Sequence, residues 1–305
     1  METNSNLERV LNSGKFAVTA ELGPPTNADS EIIKKKAKLL KGYIDAFNVT
    51  DGQTAVVRMS SWATCLIAKE EGLEPIVQMT TRDRNRIALQ MDILGVAALG
   101  INNILCLTGD HMSFGNHPQA KGVWDIDSIQ LIRIVKRMRD EKEFASGDRM
   151  DVQPNLFIGA AANPFADPFE LRAPRLAKKV AQGVDFIQTQ CIFNIDKFEE
   201  WMKKVCDLGL HKKVKILGGL TPIKSIGAAK YMKNKVPGMD VPDSIIDRLS
   251  KVPKEDVSKE GVKIAVETIQ RLQEIEGVSG VHIMAIEWEE MVPEIVKQAG
   301  LYPRP

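Results

Sequence analysis

The residues best suited to chemistry are polar side chains that each follow a short apolar run. Glu21 stands in TAELGPP, and Thr50, Asp51 and Gln53 in NVTDGQ. Gln78 and Thr80 close PIVQMT, while Thr108, Gly109, Asp110 and His111 follow ILCL. Asn163 and Asp167 lie in AANPFADP, and Gln190 ends QTQ. Carboxylates, amides and hydroxyls of this kind suit acid–base work and hydrogen bonding to a polar organic substrate. Glu21 is the most pointed of them, because Gly23-Pro24-Pro25 stiffens the chain just beyond it and its own segment offers it no partner. Asp110 has two readings, a site carboxylate or the cap of the segment that follows. Metal chemistry is not expected. His111 and His117 share a glycine-bearing loop with no third ligand, His211 reads as exposed in a turn, and His282 as internal to a strand. Cys65, Cys106, Cys191 and Cys206 include no CxxC pair, so packed, reduced thiols are expected in place of zinc or iron–sulfur ligands.

The apolar runs set the frame for these residues. FAVTA from Phe16, AFNVT from Ala46, PIVQMT from Pro75, ILCLT from Ile104, LFIGAAA from Leu156, FIQTQ from Phe186, VKILGGL from Val214 and VHIMAI from Val281 read as strands. They lack strict polar alternation, as parallel strands covered on both faces do. Helical segments separate them. Asp29-Ser30 opens one that stops at Gly42, Asp127-Ser128 opens another through Met138, and a third runs from Pro174 to Gly183. Eight strands alternating with helices predict a single (β/α)8 barrel over residues 1–305, with an open doubly wound sheet as the structural competitor. The stretch between Asn234 and Glu276 predicts a short helical insertion before the last strand. In such a barrel, ligands bind at the carboxyl ends of the strands, where the polar residues named above gather.

Composition removes several classes of function. The 305 residues carry 41 basic and 40 acidic side chains, for a net charge of +1, so no nucleic-acid footprint is expected. No apolar run approaches the length of a membrane span, and the N-terminus has no signal core, which predicts a cytoplasmic protein without membrane insertion. No GxGxxG fingerprint occurs, which argues against a Rossmann dinucleotide domain. No strand end offers a lysine for a Schiff base, which counts against an aldolase or lyase acting without a redox cofactor.

TAELGPP, LTGD, AANPFADP and QTQ, in this order and at matching strand ends, resemble the methylenetetrahydrofolate reductase family over nearly the whole chain. The resemblance implies flavin-dependent reduction of 5,10-methylenetetrahydrofolate to 5-methyltetrahydrofolate in one-carbon metabolism. Glu21 then corresponds to the general acid that opens the substrate's five-membered ring. That role needs a protonated carboxyl, which an ordinary glutamic acid with a pKa of about 4.3 does not keep at neutral pH, so burial or the Asp110 charge has to favour the neutral form. Asp110 corresponds to the carboxylate that stabilises the iminium cation and tunes the flavin. Gln190 corresponds to a pterin ligand, and Gln53 joins Glu21 and Gln190 in the expected substrate set. Thr50, Thr80, Leu107, Thr108, Gly109, Asp110 and His111 fall where the flavin is contacted. Asn163, Asp167, Arg175, Lys178 and Lys179 would face its ribityl chain and phosphates, although Lys178 and Lys179 read equally well as solvated helix residues.

Several positions depart from the family pattern. Gln78 stands where a histidine is frequent, Asn163 replaces a tyrosine, Ile226 an aromatic residue, and Met284 and Trp288 a tyrosine and an arginine. These changes leave open whether the cofactor is FAD or FMN and whether NADH or NADPH is the donor. The alternative reading is a flavin- and folate-binding subunit of a larger redox complex, reduced by an iron–sulfur partner protein. The family also implies a homo-oligomer.

Overall fold

The computed structural model describes residues 3–236 and 238–304. Eight parallel strands close into a barrel: β1 Ala17–Leu22, β2 Ala46–Val49, β3 Pro75–Thr80, β4 Asn103–Leu107, β5 Phe157–Ala162, β6 Phe186–Cys191, β7 Lys215–Leu220 and β8 Val278–Ile283. Each pairs with its sequence neighbour, and β8 returns to β1 through Ala17 opposite Gly280 and Ala20 opposite Ile283. The expected (β/α)8 barrel is therefore observed, and the open sheet is ruled out. The last strand begins earlier than expected, at Val278, because Gly277 (φ +86°) ends the preceding turn there; Met284 still donates to the Leu220 carbonyl at 2.7 Å.

The helices are α1 Asn6–Asn12, α2 Ser30–Leu40, α3 Ser61–Glu70, α4 Arg86–Ala98, α5 Ser128–Asp140, α6 Arg172–Ala181, α7 Ile195–Asp207, α8 Ile226–Lys235, α9 Asp243–Ser250, α10 Val257–Glu274 and α11 Val292–Gln298. Their ends follow from side chains. Asp29 caps α2 by accepting from Glu31 N at 2.9 Å, and Asp127 with Gln130 forms a capping box on α5. The expected insertion is α9, one short helix between α8 and the long α10, and it packs Leu249 into a small apolar cluster with Cys191, Ile223, Ala229 and Val257. Among the described residues, no helix is long and apolar enough to cross a membrane.

Side chains at alternate strand positions point inward, and they sort into three levels. At the amino ends of the strands, Ala17, Ala46, Ile76, Leu105, Phe157, Phe186 and Leu217 form an apolar floor, onto which α1 presses Leu7, Val10 and Leu11. Helix α1 is anchored by Ser5 Oγ donating to Asn103 Oδ1 (2.6 Å) and by Asn6 Nδ2 donating to the Asp45 carbonyl (2.9 Å). Asp45 is itself clamped by Arg304 at 2.6 Å, which ties the chain's end to the same floor. The middle level is polar, and the third is the mouth. The remaining core lies between strands and helices.

Candidate active site

The middle level is a closed hydrogen-bond set. Asn48 Nδ2 donates to Gln188 Oε1 at 2.6 Å, and Gln188 Nε2 returns a bond to Asn48 Oδ1 at 2.9 Å. Gln188 Nε2 also reaches Thr19 Oγ1 at 3.2 Å, and Thr19 Oγ1 lies 2.9 Å from His282 Nδ1. The two protons of Gln188 Nε2 go to Asn48 Oδ1 and Thr19 Oγ1, its third contact, His282 Nδ1, lying farther at 3.4 Å; the Thr19 hydroxyl is then free to donate to Nδ1, which makes Nδ1 the acceptor and leaves the ring proton on Nε2. That Nε2 faces Glu21 Oε2 at 3.7 Å, longer than a hydrogen bond but close enough for electrostatic contact. Gln78 Nε2 donates to the same Oε2 at 3.2 Å. Glu21 therefore stands one level above a buried amide–hydroxyl–imidazole layer and is held from two sides. His282, expected only as a strand residue, and Thr19, Asn48 and Gln188, which the sequence did not single out, are the residues that reasoning from strand ends missed. The alternation of inward positions two residues below each strand end was the available signal.

The loops after β2 and β4 are stitched across the mouth. Asp110 Oδ2 accepts from Thr54 N at 2.9 Å, so it caps no helix that follows; His111 takes that part by accepting from Ser113 N at 3.2 Å. Thr54 and Ala55 have φ near +55°, a left-handed turn rare for side chains with a Cβ, and the Asp110 bond helps hold it. Val57 N donates to Asn116 Oδ1 at 3.2 Å. A Cβ on Gly115 would fall 1.8 Å from the Ala55 carbonyl oxygen, so a glycine is required for this approach. Arg82, almost wholly buried, donates to the carbonyls of both Gly52 and Asp110 at 3.2 Å. Beneath it, Asp51 accepts from Thr80 N (2.8 Å), Thr80 Oγ1 (3.0 Å) and Arg84 Nη1 (2.7 Å). Thr80 thus has its hydroxyl engaged by Asp51, while buried Thr50 lies 3.4 Å from Gln53 Oε1.

Two hollows flank the mouth. The first, about 370 Å³, is lined by Thr108, Trp124, Asp125, Ile126, Asp127 and Gln130. Trp124 stacks on His111 with ring centroids 5.4 Å apart, and Thr108 Oγ1 accepts from Ser128 N at 3.2 Å. Gly109 (φ +92°) lies so close to Thr80 and Arg82 that a Cβ would meet them at 3.1 and 3.0 Å. The second hollow, about 60 Å³, is lined by Asn163, Arg172, Arg175 and Lys179 together with Ala161, Ala162 and Leu176. Lys179 donates to the Ala161 carbonyl at 2.6 Å, and burial, with Arg175 adding repulsion, pushes its pKa down to about 8. Three cationic side chains around so small a space suit an anion by charge. Lys178 is exposed and does not line it; Arg172, not singled out from sequence, does. Asp167 is exposed, and its carbonyl accepts from Arg172 at 3.3 Å. Asn163 turns its amide oxygen to Phe165 N and Ala166 N at 2.9 and 3.2 Å. Gln190 is exposed at the end of β6, and Leu107 lines the top of the barrel interior, half-buried.

The positions that depart from the family pattern are also placed. Ile226 and Met284 pack against the α8–α10 apolar cluster, and Trp288 is buried in the main core with Lys224 5.7 Å from its ring. Cys65, Cys106 and Cys191 are buried; Cys191 pairs with Thr221 Oγ1 at 2.8 Å, and burial pushes its thiol up to about 12.

Comparison with known proteins gives a consistent picture. The chain is 21% identical to "Probable methylenetetrahydrofolate reductase (NADPH)" of Caenorhabditis elegans, across 98% of this chain and 44% of that one. It is 23% identical to "Methylenetetrahydrofolate reductase 2" of Schizosaccharomyces pombe, across 97% of this chain and 47% of the other. The chain thus spans about half the length of the curated relatives it matches. Among solved structures, a Clostridium thermocellum protein described as binding two copies of 5-methyl-5,6,7,8-tetrahydrofolic acid shares the fold, with a TM-score of 0.65 and 15% identity, covering 97% of this chain and 99% of that one. The family model for methylenetetrahydrofolate reductase matches residues 6–300, and a match of that extent makes this chain a member of the methylenetetrahydrofolate reductase family.

Proposed function

We propose that the chain reduces 5,10-methylenetetrahydrofolate to 5-methyltetrahydrofolate with a bound flavin, Glu21 acting as general acid. The observation that carries this reading is the placement of Glu21 at the barrel mouth, its Oε2 held by Gln78 and faced by His282. Those contacts fix one oxygen and leave Oε1 for a proton and a substrate. Glu21 delivers that proton to the ring nitrogen that leaves when the five-membered ring opens. Asp110, tethered by Thr54 N, places a negative charge beside the iminium cation that results. Gln190 and Gln53 orient the pterin by hydrogen bonds, each through an amide that can donate and accept.

The residues present fit a flavin. Arg172, Arg175 and Lys179 would hold its phosphate end, and Thr108, Gly109, His111 and Asn163 the stretch between there and the mouth. When bound, the flavin supplies the hydride that reaches the exocyclic carbon. A pyridine nucleotide or a redox partner protein supplies the electrons. Ile226 and Met284 sit in an apolar cluster and offer no aromatic face to a nicotinamide, which favours the partner protein.

Anaerobic spectroscopy of the purified, flavin-loaded protein tests this. Bleaching by methyltetrahydrofolate is the expected result; additional bleaching by NADH or NADPH identifies that donor, and bleaching by methyltetrahydrofolate alone points to a partner protein. A bound flavin that no ligand bleaches, or a protein that takes up no flavin, refutes the proposal.

A further inference from the structure

At the closed end of the barrel, opposite the mouth, three metal-binding side chains converge. Cys206 lies in the last turn of α7, His211 in the one-turn helix Leu210–Lys212 that follows, and Glu276 in the turn leading into β8. Their donor atoms all lie within 4.8 Å of one another. We propose that Cys206, His211 and Glu276 bind a zinc-class divalent cation, which clamps the α7–β7 connection to the α10–β8 connection.

Three observations carry this. First, His211 is not exposed in a turn, as the sequence suggested, but largely buried, because Gly209 in the left-handed region folds the one-turn helix back beneath the barrel. Its Nδ1 is sealed from solvent without a hydrogen-bond partner, and its Nε2 is 3.8 Å from Glu276 Oε1, beyond hydrogen-bond length. An imidazole nitrogen sealed from solvent without a protein partner is uncommon and asks for an ion or water. Second, the backbone is shaped for the approach. A Cβ on Gly277 would lie 2.8 Å from His211 Cβ and 3.4 Å from Cys206 Sγ, so glycine is what lets the turn carrying Glu276 close on both. Third, thiolate, imidazole and carboxylate together form a donor set that zinc prefers. Donors on one tetrahedral zinc stand about 3.3–3.8 Å apart, so the cluster must tighten by about 1 Å. Glu276 is the exposed member and has the rotamer freedom to supply that movement. Cys206 and Glu276 also line a hollow of about 270 Å³, which gives a hydrated ion its entry path, and water takes the fourth position.

Cobalt titration of the chelator-stripped, reduced full chain tests the assignment. One equivalent should bind, with a thiolate-to-cobalt charge-transfer band and the visible bands of a four-coordinate ion, and zinc should displace it. Cys65, Cys106 and Cys191 are buried, so the charge-transfer band reports on Cys206. Cys206→Ser should abolish the band and weaken binding at least about 100-fold, the upper end of what loss of a mere supporting partner costs a metal site. Zinc should raise the Tm of the parent protein but not of this variant. In the unmutated protein, zinc should also slow alkylation of Cys206, a readout that needs no variant. Absence of the charge-transfer band, unprotected alkylation, or cobalt affinity within twofold of the parent in Cys206→Ser overturns the proposal and marks any bound metal as an adventitious ion only.

Discussion

Replacing Gln188 with leucine isolates the polar layer under Glu21. The two side chains have similar volume, so packing changes little. Asn48, however, is fully buried and makes both of its side-chain hydrogen bonds to Gln188. The substitution strands one amide oxygen and one amide nitrogen of Asn48, each at about 1–3 kcal/mol, for a total of about 2–6 kcal/mol. With an unfolding entropy of about 2.1 cal/mol/K per residue, the 305-residue chain should lose about 3–9 °C in Tm. The double variant Asn48→Leu/Gln188→Leu removes both partners together, and most of that penalty should vanish, leaving about 1 kcal/mol. The singles and the double, melted by circular dichroism at one scan rate, form a cycle with a coupling energy of about 2 kcal/mol or more. A double variant whose loss equals the sum of the two singles refutes the claim that this pair is a closed, mutually satisfied unit.

Three further outcomes follow from the site. Glu21→Gln keeps an acceptor for Gln78 but has no proton to deliver, so reoxidation of the reduced flavin by methylenetetrahydrofolate, the direction in which the ring nitrogen must be protonated, should slow about 10²–10⁴-fold in anaerobic stopped flow while flavin content stays unchanged; a loss under tenfold would remove Glu21 from the acid role. Lys179 has a pKa pushed down to about 8, so affinity for the anionic flavin phosphate should fall as pH rises through 8 and Lys179 loses its charge, and Lys179→Met should flatten that profile in a fluorescence titration. The sign for stability is opposite: the folded pKa lies below the ordinary lysine value, so the unliganded protein should gain stability as pH rises from about 8 towards 10.5. Gly115→Ala forces the β4 loop off the Ala55 carbonyl and should weaken flavin binding at least tenfold with little change in far-ultraviolet circular dichroism; unchanged affinity would mean that the stitched loops do not shape the cofactor site.

Much of the barrel was legible because each strand is a short apolar run bounded by turn or cap residues, and parallel strands covered on both faces leave that signature undiluted. The start of β8 is not legible because Val278-Ser279-Gly280 is too polar and flexible to read as strand; it is held there by register with β1 and β7. The residues at the mouth were placed by one rule, that barrel ligands bind where strands end. That rule is silent one level down, so the layer of Thr19, Asn48, Gln188 and His282 went unread until distant strands were brought together. Lys178 and Lys179 could not be told apart in sequence, since which of two adjacent helix residues faces inward depends on how α6 rolls against β5. The burial of His211 is hidden for a related reason: a polar turn sequence does not reveal what folds over it.

The apolar floor sealed by α1 makes the barrel interior a blind shaft. A ligand that reaches the layer under Glu21 enters at the mouth, the end of the barrel opposite the apolar floor, and leaves the same way. A ligand seated at that mouth therefore acts as a stopper, and the imidazole proton of His282 should exchange with solvent at a rate set by ligand residence time and not by its own chemistry. Traffic through such a shaft is single file: a product still lodged at the rim denies entry to whatever must come next.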